Sequence, residues 1–124
     1  MISIGKIYSF SAGHHLPHHG GQCKNVHGHN YRLEVEVTGK IDEIQTGMVM
    51  DFEQLDKIVD RVILSVHDHC YLNDLFINPT AELMVESFSR KIINALNVGF
   101  ILTRLKLWET EKCYAEWTPV HRHN

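Results

Sequence analysis

The 124-residue sequence predicts an α+β domain, an antiparallel sheet carrying two helices in the order β-β-α-α-β-β. Three observations predict it. "NYRLEVEVTG" sets Tyr31, Leu33, Val35 and Val37 against Arg32, Glu34, Glu36 and Thr38, the period of two that a half-buried antiparallel strand requires. "DFEQLDKIVDRVILSV" places Leu55, Ile58, Val59, Val62 and Ile63 on one helical stripe. "FILTRLKLWETEKCYAEW" is β-rich and partly alternating, which predicts two strands meeting around Thr110 to Lys112.

Taken in chain order, "ISIGKIYSFSAGHH" predicts the first strand and "NYRLEVEVTG" the second. The first helix has Asp51 as its cap, with Gln54 three residues on. The second begins at "NPTAEL", where Asn78 can cap and Pro79 suits the first turn. It then runs through Val85, Phe88, Ile92 and Leu96 until Gly99. Glycines and prolines fall between these periodic segments, and no repeat or linker interrupts them, so residues 1–124 form a single domain.

Composition narrows the function classes. The net charge of −3 gives no general basis for binding nucleic acid or an anionic membrane. No apolar run approaches the ~20 residues that span a bilayer, and "MISIGKIYSFS" lacks the apolar core of a signal peptide, so the chain reads as cytoplasmic. Cys23, Cys70 and Cys113 are too few and too odd for a disulfide framework.

The histidines are concentrated. Six of the ten lie at or before position 29, and "QCKNVHGHN" sets Cys23 four positions before His27-Gly28-His29. In an extended segment, residues two apart face the same side, so His27 and His29 can present their imidazoles together. A third imidazole from "SAGHHLPHHG", with His14 and His15 nearest, would complete the three-histidine set that catalytic zinc uses. The same spacing also fits a histidine-rich loop with no ordered metal, and "HRHN" at the end repeats it through His121 and His123 in what reads as a solvated tail. Cys23 fits a fourth ligand, a thiolate base or nucleophile, or an inert thiol. Asp68 precedes His69 in "SVHDHCYLND", and a carboxylate beside an imidazole fixes its tautomer and raises its basicity. Glu109 follows Leu105 and Leu107 on one strand face, which favours a pocket-facing carboxylate.

The order of these pieces is more specific than any one of them. "FSAGHHLP", Cys-x-x-x-His-Gly-His, "VMDFEQL", "DHCYLND", "NPTAE" and "LWET" together resemble the 6-pyruvoyl-tetrahydropterin synthase superfamily over nearly the whole chain. The three-residue spacer between Cys23 and His27 resembles its bacterial 6-carboxy-tetrahydropterin synthase branch, which serves queuosine synthesis. The resemblance implies the tunnelling fold, a four-stranded antiparallel sheet with two helices on one face, whose sheets assemble into the barrel of a homohexamer built from trimers. It implies Zn²⁺ on His14, His27 and His29, with His15 a non-ligand neighbour. It further implies Cys23 as base, Asp68 and His69 as a proton-transfer pair, Glu109 as pterin anchor and Thr80 as its helper. The implied substrate is 7,8-dihydroneopterin triphosphate, converted to 6-carboxy-tetrahydropterin, acetaldehyde and triphosphate, with Lys24 or Arg104 as candidate cations for the phosphates. A sister enzyme forming 6-pyruvoyl-tetrahydropterin would use the same residues, and a non-catalytic zinc or pterin binder would tolerate loss of Cys23.

Overall fold

The computed structural model describes residues 1–120, so the tail pair His121 and His123 lies outside the described residues. β1 (Ile2–His14) pairs antiparallel with β2 (His27–Gly39), from Ile2 opposite Gly39 to His14 opposite His27. β2 pairs with β4 (Ile101–Trp108), and β4 with β5 (Tyr114–Trp117). The turn between β4 and β5 falls where the sequence predicted it, with Glu109 N–H donating to the Cys113 carbonyl at 3.0 Å.

The sheet has five strands, one more than expected. β3 (Cys70–Tyr71) lies parallel on the free edge of β1, giving the order β3-β1-β2-β4-β5. Two residues cannot show a period, so "DHCYLND" carries no strand signal of its own. The alternation in β1 and β2 is realised: Tyr8, Phe10 and Ala12 face the core with Tyr31, Leu33, Val35 and Val37. Phe10 stacks on Tyr31 at 5.0 Å between ring centroids and meets the edge of Phe88 at 6.1 Å.

Two helical segments cover this face. α1 (Phe52–Val59) is capped by Asp51, whose carboxylate accepts from Glu53 N–H at 2.9 Å. It runs on through a π-turn (Asp60–Leu64) into the single turn α2 (Ser65–His67). The π-turn has a packing reason. Leu55, Val59, Ile63 and His67 are all fully buried at a spacing of four. A regular helix rotates such a row by about 40° at each step, and the wider π-turn brings it back toward the sheet. α3 (Ala81–Ala95) buries Met84, Val85, Phe88 and Ile92. Thr80 caps it through Oγ1, which accepts from Leu83 N–H at 3.2 Å, so Asn78 and Pro79 stand outside the helix rather than at its start. The helix ends at Ala95, and Gly99, at φ +99°, lies in the turn beyond it. Among the described residues no helix is long and apolar enough to cross a membrane.

Candidate metal centre and active site

The core face of the β1–β2 pair ends in histidines. His14 and His27 are cross-strand partners, and His29 sits opposite Ala12 two residues along, so all three rings emerge on the side that carries Tyr31 and Leu33. His14 is fully buried, with Nδ1 2.9 Å from the Pro79 carbonyl. His27 Nδ1 lies 2.7 Å from the Asn25 carbonyl. A carbonyl only accepts, so both rings donate from Nδ1 and turn their Nε2 atoms inward. Those two Nε2 atoms are 3.0 Å apart. His29 Nε2 is buried without a hydrogen-bond partner among the described residues.

Glu109 completes the cluster. Its Oε1 lies 3.3 Å from His14 Nε2 and 3.2 Å from His29 Nε2. One donor atom from each of His14, His27, His29 and Glu109 falls within 4.8 Å of all the others. The His14 imidazole holds the Glu109 carboxyl below its ordinary range, with desolvation opposing and His29 adding to the effect. Desolvation keeps His29 below its ordinary range and therefore neutral, more strongly than Glu109 raises it. Three ring nitrogens and a carboxylate oxygen converge on one point, where a proton or a bound cation can sit between them. Neutral imidazoles with a carboxylate are a donor set suited to a divalent metal such as Zn²⁺, so the residues present fit one.

Cys23 sits on a 3-10 turn (Gln22–Lys24) in the β1–β2 connection, where its carbonyl accepts from Leu16 N–H at 2.7 Å. Its half-buried thiol lines a cavity of about 400 Å³ together with His27 and His29. It is not among the four clustered donors. Asp68 and His69 form the expected pair, with Oδ1 and Nδ1 3.1 Å apart. Both backbone groups of Ser11 pin their turn: Ser11 N–H donates to Asp68 Oδ1 at 2.9 Å, and the Ser11 carbonyl accepts from His69 N–H at 2.6 Å. His69 takes φ 59°, a left-handed conformation rare for a residue with a side chain. Its ring is 82% exposed and lines a different cavity from Cys23, one floored by Gly13 and Gly28. One chain therefore clusters the three histidines with Glu109, sets Cys23 in a cavity with His27 and His29, and places His69 in a neighbouring cavity that also borders His29.

The model of the 6-pyruvoyl tetrahydropterin synthase family matches residues 3–119. The chain belongs to the 6-pyruvoyl tetrahydropterin synthase family. It is 40% identical over 100 residues to a Synechocystis protein named 6-carboxy-5,6,7,8-tetrahydropterin synthase, covering 77% of this chain and 78% of the relative. It is 41% identical over 101 residues to the Pyrococcus furiosus dihydroneopterin monophosphate aldolase, covering 82% and 83%. The solved 6-pyruvoyl tetrahydropterin synthase of Caenorhabditis elegans matches with a TM-score of 0.83 at 26% identity, over 96% of each chain.

In this member of the 6-pyruvoyl tetrahydropterin synthase family, several supporting residues carried no sequence signal. The Pro79 and Asn25 carbonyls orient two imidazoles, yet a carbonyl belongs to every residue and no motif marks it. Asn73 clamps the backbone beside His14, its Oδ1 accepting from His15 N–H at 2.8 Å and its Nδ2 donating to the His15 carbonyl at 3.0 Å. The His15 ring turns from the cluster to stack on Tyr71, whose hydroxyl it hydrogen-bonds. The Thr80 hydroxyl serves as the α3 cap, so its contribution to the site visible here is to place Pro79. Arg104 lies 3.2 Å from Glu36 and 3.5 Å from Glu116, and these carboxylates leave it ill suited to receive phosphate.

Proposed function

We propose that the protein is a zinc-dependent lyase converting 7,8-dihydroneopterin triphosphate and water into 6-carboxy-5,6,7,8-tetrahydropterin, acetaldehyde and triphosphate, a step toward queuosine. The observation that carries this reading is the cavity in which Cys23 meets His27 and His29, beside the full four-donor cluster. His14, His27 and His29 would hold the metal, which supplies Lewis acidity to substrate oxygens and to charge that develops as a proton leaves.

The chain's own groups divide the remaining work. Cys23 Sγ takes the first proton from the substrate side chain. His69, whose partner Asp68 stands 3.1 Å away, moves the second proton on its imidazole. The Glu109 carboxylate accepts the paired N–H donors of the pterin ring, a charge-assisted pairing that fixes the ring against the cavity. Thr80 stands at the edge of this arrangement as its support. Cys23 and His69 line separate cavities in one chain, which favours active sites completed between copies in a homohexamer of two trimers. Three free cysteines suit a cytoplasmic setting, and nothing in the charge balance calls for a nucleic-acid or membrane partner.

A second reading, carbon–carbon cleavage of a dihydroneopterin monophosphate, is favoured by the Pyrococcus relative. Purified zinc-loaded protein should be incubated with the triphosphate and the monophosphate separately and the products identified by mass spectrometry. Acetaldehyde with a 6-carboxy pterin from the triphosphate supports the first reading. A phosphorylated aldehyde from the monophosphate alone establishes the second, a 6-pyruvoyl product assigns the sister activity, and unchanged substrate leaves a binding protein.

A further inference from the structure

The pair Asp68 and His69 follows a helical turn, yet what holds it is a strand. His67 is fully buried, with Nδ1 2.7 Å from the Ile63 carbonyl, and two residues later the His69 side chain is 82% exposed. The chain makes that exit through the left-handed conformation of His69, φ 59°, which costs energy for any residue with a Cβ. A strained turn persists only where its surroundings hold it. Here the holding groups belong to Ser11: its N–H donates to Asp68 Oδ1 at 2.9 Å, and its carbonyl accepts from His69 N–H at 2.6 Å. β3 then pairs Cys70 with Ala12 and Tyr71 with Gly13, and the Asn73 side chain binds both main-chain groups of His15. Residues 68–73 are thus fastened along residues 11–15, the stretch of β1 that carries His14.

We propose that Ser11 is the positioning residue of the acid–base pair, its N–H and carbonyl fixing the Asp68 carboxylate and the His69 turn so that the imidazole stands in the cavity floored by Gly13 and Gly28. This rests on the acid–base reading of Asp68 and His69 above. Alternate residues of an antiparallel strand turn both main-chain groups away from the partner strand, and Ser11, opposite Asn30, is one of them. Its N–H and carbonyl are spare to β2 and available to the turn. Asp68 Oδ1 also stands 3.1 Å from His69 Nδ1, so one carboxylate oxygen answers the strand and the imidazole together. The Ser11 N–H is the first cause holding the Asp68 carboxyl below its ordinary range, with desolvation opposing and His69 adding to the effect. The Ser11 hydroxyl stands apart from this, donating across the strand pair to Asn30 Oδ1 at 2.7 Å. Main chain and side chain of one residue therefore have separate partners, and variants can separate them.

The test is Ser11→Pro in the zinc-loaded protein, made alone and together with His69→Ala. β3 covers only Ala12 and Gly13, and an edge position whose N–H faces away from the partner strand accepts proline, so the substitution deletes the Asp68 bond and no β1–β2 bond. Ser11→Pro is expected to lower kcat roughly 10- to 100-fold, as misplacement of a reacting group does, with KM, zinc content and pterin affinity kept. Ser11→Ala keeps both main-chain groups and loses only the Asn30 bond, so it should turn over roughly tenfold or more faster than Ser11→Pro. In the His69→Ala background the Ser11→Pro loss should shrink to about twofold or less, because a residue that acts through the imidazole has nothing left to position. A full loss in that background overturns the proposal. So does a Ser11→Pro enzyme with the parent kcat, or a Ser11→Ala enzyme as slow as the proline variant. Should Ser11→Pro fail to fold, hydrogen exchange of the Ser11 amide decides: roughly tenfold faster exchange in Asp68→Ala than in the parent supports the proposal, and equal exchange overturns it. If the two substitutions add while acetaldehyde still forms from the triphosphate, the function stands and this inference alone falls; if His69→Ala turns over like the parent, the acid–base reading falls as well.

Discussion

His14 and His27 face each other as cross-strand partners with their Nε2 atoms 3.0 Å apart, and each has its Nδ1 proton on a backbone carbonyl. At that distance the two nitrogens either share a proton or face a common cation, and the Zn²⁺ reading takes the second. His27→Ala is therefore expected to release the metal, with zinc per chain falling from one to near zero by atomic absorption after gel filtration. X-ray absorption of the parent should find nitrogen and oxygen neighbours at about 2.0 to 2.1 Å. A sulfur in that shell would make Cys23 a ligand and sink its assignment as base.

Cys23 and Glu109 should separate chemistry from binding. Cys23→Ala is expected to lower turnover by roughly 10²- to 10⁴-fold, the usual worth of a proton-transfer group, with zinc content and pterin affinity kept. Glu109→Ala should lose charge-assisted bonds worth about 1.5 to 3 kcal/mol each, so its pterin affinity drops. Fluorescence quenching by pterin decides between them. Normal binding by Glu109→Ala would place the ring elsewhere.

His67 supplies a pH prediction of known sign. It is fully buried, its Nδ1 bonded to the Ile63 carbonyl at 2.7 Å and its Nε2 unpartnered among the described residues, against Phe76 and Phe88. Burial pushes its pKa below the ordinary 6.5, with the Ile63 carbonyl opposing and Lys91 adding to the fall. The unfolded chain then takes up a proton from about pH 6.5 downward before the folded chain does. Stability should be fully present above that pH and decline as pH falls toward the folded value. Urea midpoints of the parent and His67→Leu, compared at pH 7.5 and 5.5, should show a smaller acid loss in the variant. Equal losses would remove His67 from the account.

Asn73→Ala should strip both hydrogen bonds from the His15 backbone and leave two partly buried groups unsatisfied, at about 1 to 3 kcal/mol. Because that segment carries His14, zinc affinity should fall along with the melting temperature. A variant that melts early yet binds zinc like the parent would confine Asn73 to stability.

Sheet edges left open in one chain underlie the assembly prediction. Light scattering at micromolar concentration should report a mass near six chains. A fully active monomer would contradict it.

How much of this was legible follows from which signals are local. The period of two puts His27 and His29 on one side and Tyr31, Leu33, Val35 and Val37 on one face from the sequence alone, and the same alternation puts Glu109 in line with Leu105 and Leu107; that the two sets share a face is seen in the register. The distance between Glu109 and His14 was not legible, because it depends on the register of β4 against β2 and of β2 against β1, which no single segment encodes. Glu109 was accordingly expected on the pterin alone. The Asn78 cap failed for a different reason: Asn78, Pro79 and Thr80 all suit a helix start, and the choice of Thr80 goes with the Pro79 carbonyl reaching His14. Asp68 and His69 were recognised as a pair, while the Ser11 clamp that turns them outward is a long-range contact invisible in the sequence.

The three imidazoles are all borne on β1 and β2, strands of 13 residues paired along their full length and packed over the core. Such a socket is expected to form with the sheet itself rather than to wait for its ion, unlike small domains that are unfolded until metallated. Chains made during zinc shortage should accumulate in native shape, silent but intact, and become active within the time of mixing when zinc returns, with no new synthesis. The far-ultraviolet dichroism of chelator-treated protein should accordingly match that of the loaded form, and supply of the ion, rather than of the polypeptide, would set the output of the reaction.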